Sequence, residues 1–169
     1  MNALAASVAP GSNGVAVLPF GNGSERMLHN KNIGAHISGL DFNRHEPAHL
    51  FRAVQEGVVF GMQYGFKVLQ QNGVQPTVIR AGKANMYLSD VFVDCFVNTL
   101  HVPLELYHTD GSKGAAIGAG YGAKVYATIE EAFVNSKPLR VIEPSGTNDY
   151  AAAYEKWEHQ LALQIKNNQ

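Results

Sequence analysis

The chain has 169 residues, of which 46% are hydrophobic, and a formal net charge of −1 from 13 Lys or Arg and 14 Asp or Glu side chains. Near-neutral charge argues against nucleic-acid binding, which depends on a surplus of basic side chains facing phosphates. The length favours one domain or a large piece of one, and the single cysteine, Cys95, rules out a disulfide framework. No apolar run reaches the roughly 18 residues of a membrane span, and the N-terminus lacks a basic signal region. We therefore expect a soluble, cytoplasmic protein without a nucleic-acid or membrane partner.

Hydrophobic periodicity and turn residues divide the chain into alternating strands and helices. The longest predicted helix begins at Pro47, which suits a first helical turn, and ends at Asn72 and Gly73, which suit a C-terminal cap. The order of elements predicts an α/β layered fold. In chain order we predict a helical end at 3–8, strands at 14–20 and 34–42, the helix at 47–73, a strand at 76–80, a helix at 86–100, a strand at 103–108, helices at 113–126 and 128–134, an extended segment at 138–144 and an exposed amphipathic helix at 149–166.

Two of the predicted helices carry a glycine at every fourth position, which places the glycines on one face of each helix. A glycine in a helix interior costs about 1 kcal/mol relative to alanine, so each row indicates a compensating close contact. We interpret the rows as helices packed tightly on a sheet or on each other. A compatible alternative is a flat wall against which a ligand lies. The rows are Gly57, Gly61 and Gly65 in the first helix and Gly114, Gly118 and Gly122 in the second.

Residues 45–49, HEPAH, match the H-E-x-x-H motif of zinc proteases. That chemistry needs both histidines on one helical face, and Pro47 inside the motif argues against it because proline belongs at the first helical position. We predict that the helix begins near Glu46 or Pro47 and leaves His45 outside it. The local pattern is better explained by a capping box with Asn43 as the cap and Glu46 three residues later. We therefore predict no metal site.

Other catalytic patterns are missing from the sequence, which has neither a G-x-S-x-G elbow nor a G-x-x-x-x-G-K-[ST] loop. The G-x-G-x-G at 118–122 lies inside a predicted helix, where a dinucleotide fingerprint does not occur. Cys95 is expected to be an inert core thiol. We predict no catalytic residue in this chain, and we expect the candidate carboxylates to be surface groups or caps: Asp41, Asp90, Asp94 and Asp110.

Four stretches of the chain resemble the FGGY carbohydrate kinases in order and spacing, and they are most like the second half of xylulokinase members. Segment 35–56 resembles the second signature of that family, except that Gln55 stands where the pattern has an apolar residue. Segment 18–40 resembles the run that precedes this signature, segment 80–92 resembles the adenosine loop, and segment 110–120 resembles the last helix of the nucleotide lobe. The signature residues are Ala35, Ile37, Gly39, Leu40, His49, Leu50, Ala53, Val54 and Glu56.

The resemblance implies part of an actin-like (ribonuclease H-like) ATPase lobe, in which a sheet is flanked by helices. Residues 1–145 would form an incomplete C-terminal nucleotide lobe, and 146–169 an amphipathic helix that packs on it or extends from it. The full-length kinase would use ATP with Mg, whereas this chain would bind nucleotide weakly or not at all, because Arg80 and Ala81 replace a common glycine doublet. The resemblance places adenine and ribose over Ala81, Gly82, Ala84, Asn85 and Met86.

These expectations define two functional hypotheses. The first is a C-terminal fragment of an ATP-dependent sugar kinase that converts D-xylulose to D-xylulose 5-phosphate. In that case the catalytic aspartate and most of the sugar site lie in a missing N-terminal lobe, and the chain alone is inactive. The alternative is a non-catalytic, actin-like binding or assembly module. Under both hypotheses we expect a homo-oligomer, because an incomplete sheet exposes unpaired backbone and apolar helix faces.

Overall fold

The computed structural model describes residues 1–21, 26–109, 111–133 and 137–168, within which helices and short strands alternate as the sequence predicts. Single 3-10 turns lie at Ser12–Gly14, Arg26–Leu28 and Asn85–Leu88. The remaining elements are α1 (Asn2–Ala6), β1 (Ala16–Pro19), β2 (Ala35–Ser38), α2 (Pro47–Gln71), β3 (Ile79–Gly82), α3 (Asp90–Leu100), β4 (Leu104–Tyr107), α4 (Gly111–Gly122), α5 (Ile129–Phe133), β5 (Arg140–Ile142) and α6 (Ala151–Asn167).

Several predicted boundaries were wrong, among them the end of β2, which was expected at 42 and lies at Ser38. Three others have a clear cause. The strand expected at 76–80 lies at 79–82, because its pairing begins where the Ile79 amide donates to the Pro103 carbonyl. The helix expected from 86 begins only at Asp90, since Ser89 has extended dihedral angles that interrupt it and then acts as its N-cap. The helix expected to reach 126 ends at Gly122, and Lys124 shortly after it is left-handed. Asp110 and Val134, predicted to lie at helix ends, fall outside the described residues.

The strands form two small sheets. In the first, β1 and β2 pair antiparallel with Val17 opposite Ile37. In the second, β4 lies between β3, which runs parallel to it, and β5, which runs antiparallel. One face of this sheet is apolar, with Leu104 and Leu106 fully buried against the helices. The other face of β3 and β4 is polar, so the sheet is covered on one side by the core.

Helix α2 lies directly on β1, and Gly57 is the point of closest approach. A Cβ atom added at position 57 would lie 2.2 Å from the carbonyl oxygen of Val17, a distance that real Cβ atoms do not show. Gly61 and Gly65 face Phe20 and Met27 at ordinary contact distances. The close packing predicted for this row of glycines is therefore confirmed, and the contact is with backbone at Gly57.

Helix α4 differs from α2, because its row of glycines has no described neighbour. A Cβ atom added at Gly114, Gly118 or Gly122 would meet nothing within 4 Å among the described residues. Ile117 is the buried residue of this helix. The close packing predicted for the second row is not present within the described part of the chain, and this face of α4 is open.

Helix α6 was predicted to be exposed, but it buries one face in the core. Tyr154, Trp157 and Leu161 are buried, and the Trp157 Nε1–H donates to the Val17 carbonyl at 2.8 Å. This helix therefore covers β1 together with α2. The burial also raises the pKa of the Tyr154 phenol, because the charged form would lose its hydration.

A buried polar network joins the N-terminal segment, α2 and the start of α6. The Arg52 guanidinium donates through Nε to Glu56 Oε1 at 2.7 Å and through Nη2 to the Tyr150 hydroxyl at 2.8 Å. The Glu56 carboxylate also accepts from the Gly11 amide at 3.0 Å and from the Ser12 hydroxyl at 2.8 Å. Since buried charges are stable only when paired and hydrogen-bonded, this network fixes segment 8–14 on α2.

The start of α2 confirms the predicted position of the helix but corrects the predicted cap. The helix begins at Pro47, with Glu46 rather than Asn43 as its N-cap. The Glu46 amide donates to Nδ1 of His49 at 3.1 Å, so His49 takes the role that a glutamate or glutamine has in the usual capping box. Asn43 belongs to the preceding turn, where its amide donates to Asp41 Oδ1.

Candidate functional site

The parallel strands β3 and β4 end side by side, with Gly82 in register with Tyr107. We call this the carboxyl edge, defined by residues 82–88 and 107–109. Ligands of open α/β sheets bind outside the carboxyl ends of parallel strands, so this edge is the position at which a ligand site is expected. It contains four of the five residues predicted to contact a nucleotide, and Ala81 directly precedes it.

Three of those five residues are already engaged by the chain itself. Ala81 and Met86 pack against the main hydrophobic core. A Cβ atom added at Gly82 would lie 2.3 Å from the carbonyl oxygen of Thr109, because the chain leaving β4 crosses over this position. The missing side chain at Gly82 is thus explained by an internal backbone contact, and these three residues support the edge from beneath.

The outer surface of the carboxyl edge is formed mainly by Lys83, Asn85 and Leu88. Asn85 is exposed and left-handed, with φ of +51°, a conformation that asparagine adopts more readily than most residues. Leu88 is 60% exposed, and Ala84, which lies between Lys83 and Asn85, is half-buried. An amide beside an exposed apolar side chain offers hydrogen bonding and flat contact area, which are the two features that a heterocyclic base needs. The residues present therefore fit one wall of an adenosine site.

The turn that carries these side chains is held by its own backbone. The Lys83 amide donates to the Tyr107 carbonyl at 2.9 Å, which extends the pairing of β3 with β4 by one residue. The Ala84 amide donates to the Gly82 carbonyl at 2.8 Å, and the Tyr87 amide donates to the Ala84 carbonyl at 3.1 Å. These bonds fix the direction in which Asn85 leaves the sheet.

An ion-pair cluster lies on the polar face of the same strands. Glu105 Oε2 accepts from Arg80 Nε at 2.8 Å and from the Tyr107 hydroxyl at 2.6 Å. The hydrogen bond from Tyr107, followed by the bond from Arg80, holds the pKa of the Glu105 carboxyl below its ordinary value, and the bond to Glu105 raises the pKa of Arg80. Sequence reasoning missed Glu105 and Tyr107, although the alternation of apolar and polar residues in 103–108 indicates that both lie on one face.

Residues considered for catalysis occupy structural positions. The Asp94 Oδ2 atom accepts from the Tyr150 hydroxyl at 2.8 Å and from Asn148 at 2.9 Å, so Asp94 is a half-buried hydrogen-bond acceptor that ties α3 to the start of α6, rather than the free surface group or cap that we expected. Asp90 pairs with Arg140 at 2.7 Å in the exposed first turn of α3. The Cys95 thiol is buried, and that burial raises its pKa well above the ordinary value, which makes it unreactive as the sequence predicts.

The H-E-x-x-H motif does not form a metal centre. Nδ1 of His45 accepts from the Asp41 amide at 2.9 Å, while Nδ1 of His49 accepts from the Glu46 amide at 3.1 Å. Both histidines thus shape the turn before α2. Across residues 1–21, 26–109, 111–133 and 137–168, no group of three or more His, Cys, Asp or Glu side chains is arranged to hold a metal ion, and no helix has the length and apolarity that crossing a membrane requires.

Comparisons with known proteins agree with the resemblance drawn from the motifs. The chain is 31% identical over 165 residues to the xylulose kinase of Staphylococcus epidermidis (strain ATCC 35984), covering 90% of this chain and 32% of that kinase. It is 30% identical over 141 residues to the xylulose kinase of Escherichia coli (strain K12), covering 80% of this chain and 28% of that kinase. No family model matches the chain.

The fold agrees with the same relationship. The crystal structure of xylulose kinase from Rhodospirillum rubrum superposes with a TM-score of 0.78 at 22% identity, over 98% of this chain and 34% of that protein. This fold is part of the actin-like ATPase fold of sugar kinases. The chain spans about a third or less of the length of each of these proteins. Over most of its length, the chain is homologous to xylulose kinases of the FGGY carbohydrate kinase type.

Proposed function

We propose that this chain is the C-terminal part of a cytoplasmic, ATP-dependent sugar kinase that converts D-xylulose to D-xylulose 5-phosphate. The observation that carries the proposal is the 31% identity to a xylulose kinase across 90% of the chain. The match to the Rhodospirillum rubrum xylulose kinase includes 98% of this chain but only 34% of that protein. This difference in coverage supports the proposal that the chain corresponds to one part of such an enzyme.

Within that kinase, the carboxyl edge would form one wall of the adenosine site. The exposed Asn85 amide would hydrogen-bond the base, and Ala84 and Leu88 would provide apolar contact beside it. Ala81, Gly82 and Met86 would act from beneath, by holding the turn against the core and against Thr109. ATP with Mg supplies the transferred phosphoryl group in such enzymes, and the role of this chain is to hold and orient the nucleoside.

The chain alone would not catalyse phosphoryl transfer. The reaction depends on a positioned base, metal ions and donors around the transferred phosphate, all acting together. Asp94 is occupied by internal hydrogen bonds, and Asp90 by an exposed ion pair. Asp41 caps a turn through the Asn43 amide. None of these three carboxylates lies at the carboxyl edge as defined above.

The missing N-terminal lobe would dock on the open face of α4. The three glycines of this face cost helix stability and have no described neighbour, so a close contact with a partner lobe would compensate their cost. Two apolar side chains near the end of the helix extend the surface, since Tyr121 and Val125 are 45% and 69% exposed. A contact of this kind would complete both the α4 face and the kinase.

An activity assay with and without the remaining lobe tests this proposal. The purified chain is mixed with ATP, Mg and D-xylulose, and ADP release is followed in a coupled assay. We expect no sugar-dependent turnover from the chain alone, and turnover after addition of the N-terminal two thirds of a xylulose kinase as a separate polypeptide. Gly118→Leu should prevent this rescue, whereas Ala162→Leu, the same increase in size on the exposed face of α6, should not.

Two results would contradict the proposal in different ways. Sugar-dependent turnover by the chain alone would show that a catalytic base has been overlooked. Binding of the N-terminal lobe without turnover, in a form that still binds nucleotide, would favour the non-catalytic binding or assembly module. Nucleotide binding itself is measured by NMR, with ADP expected to shift Asn85 and Ala84 at an affinity in the mM range, about −4 kcal/mol.

A further inference from the structure

Two cations and one carboxylate lie at or just before the carboxyl edge, in neighbouring positions of the sheet. Arg80 and Glu105 lie opposite each other in register on β3 and β4 and form a 2.8 Å ion pair. The same carboxylate oxygen accepts the Tyr107 hydroxyl. The charge of Arg80 is therefore compensated within the sheet, and Glu105 is already committed to two partners.

Lys83 is the second cation, and its charge is not compensated in this way. Its side chain is exposed, and the four ion pairs found among the described residues do not include it. Its backbone is nevertheless well fixed, because the Lys83 amide donates to the Tyr107 carbonyl at the end of β4. An exposed ammonium group thus extends from a fixed backbone position two residues before Asn85.

We propose that Lys83 binds the phosphate of an adenine nucleotide whose base contacts Asn85, so that the carboxyl edge distinguishes nucleotides from the free nucleoside. This inference rests on the proposed function, since it requires adenosine at the same edge. Lys83 and Asn85 are both exposed and lie two residues apart, so the long Lys83 side chain would be available to a phosphate carried by a nucleoside at Asn85. Arg80 does not take this role because Glu105 holds its guanidinium on the sheet.

The experiment is an NMR titration of the 169-residue chain with adenosine and with ADP, in EDTA so that no divalent cation neutralises the phosphates. An exposed ion pair contributes up to about 1 kcal/mol, which corresponds to about a fivefold difference in affinity. We expect ADP to bind about fivefold more tightly than adenosine at low salt. Lys83→Ala should make the two affinities equal, and Lys83→Glu should make ADP the weaker ligand. Lys166→Ala, an exposed lysine at the end of α6, should keep the fivefold ratio.

The outcomes separate this inference from the proposed function. If adenosine shifts Asn85 but Lys83→Ala keeps the ratio of ADP to adenosine affinity, the role of Lys83 is wrong and the adenosine wall stands. If neither ligand shifts Asn85, the adenosine wall is wrong and the role of Lys83 is wrong with it. Equal losses of ratio in Lys83→Ala and Lys166→Ala would show a general charge effect and would also overturn the assignment.

Discussion

Replacing Gly57 with alanine tests the contact between α2 and β1. The added Cβ atom would lie 2.2 Å from the Val17 carbonyl oxygen, so helix and strand must separate by about 1 Å to reach an ordinary contact distance. The strand cannot move freely, because the same oxygen accepts from Trp157 Nε1 at 2.8 Å. Overpacking costs about 1–3 kcal/mol, and a backbone neighbour places Gly57 at the upper end of that range. Helix propensity returns about 1 kcal/mol, so we expect a net loss of about 2 kcal/mol in the free energy of unfolding.

Urea unfolding followed by tryptophan fluorescence measures this loss, since Trp157 is the single tryptophan and is fully buried. Gly118→Ala is the matched control, because it makes the same change in a helix at a position with nothing within 4 Å. In that control, far-UV circular dichroism should show an unchanged helix content, and the free energy of unfolding should stay the same or rise by up to about 1 kcal/mol. A Gly57→Ala chain as stable as the unsubstituted one would refute the close approach of α2 to β1.

Three further predictions concern buried charge, alkaline pH and assembly. Glu56→Gln should lower the free energy of unfolding by about 3 kcal/mol or more, because it leaves the buried Arg52 charge without a charged partner. The control is Glu158→Gln, which removes a more exposed ion pair and should cost about 1 kcal/mol or less. Similar losses for the two variants in urea unfolding would contradict the importance of the buried network. Burial raises the pKa of Tyr150 above the ordinary value of 10.0, so the unfolded chain loses this proton first as the pH rises. The stability that this group contributes is complete below pH 10.0 and is lost as the pH rises above it. The free energy of unfolding of Tyr150→Phe should therefore fall less steeply with pH above about 10 than that of the unsubstituted chain. An identical slope would exclude Tyr150 as the cause. Met62 is an apolar side chain of α2 that is 42% exposed, and exposed apolar surface favours association. Light scattering should therefore give a molar mass above that of the monomer, and Met62→Glu should lower this mass. A clean monomer at high micromolar concentration would count against assembly.

Local sequence signals predicted most of the elements but not all of their ends. Pro47 correctly marked the start of α2, because proline lacks an amide donor and its ring clashes with the preceding turn, so it is tolerated only in the first turn of a helix. The start of β3 was wrong because a strand begins where its partner begins to pair, and Pro103 lies 24 residues further along the chain than Ile79. The prediction of Asn43 as the cap was wrong because the Glu46 amide donates to the His49 side chain. The usual capping pattern has glutamate or glutamine at that position, so it does not detect a histidine there.

The candidate site was predicted only in part, for a similar reason. Segment 80–92 was singled out by its small residues, and the structure does place it at the carboxyl ends of parallel strands. The reason for Gly82 could not be read from the sequence, because its neighbour Thr109 follows a different strand, β4, and is far from Gly82 along the chain. The ion pair of Arg80 with Glu105 likewise depends on the register of β3 against β4, which no local pattern specifies.

The two rows of glycines show how identical local patterns can serve different purposes. In α2 the first glycine of the row, Gly57, packs against the Val17 carbonyl of the same chain. The buried network of Arg52, Glu56 and Tyr150 holds α2 in place without any contribution from α4. In α4 the glycines with the same spacing have no neighbour within 4 Å among the residues that the structure describes, and Ile117 anchors the helix. The core therefore does not depend on the open face. A substitution at Gly118 changes what can approach α4 without disturbing the packing of α2 on β1, and for that reason it separates the docking of a partner lobe from the folding of this chain.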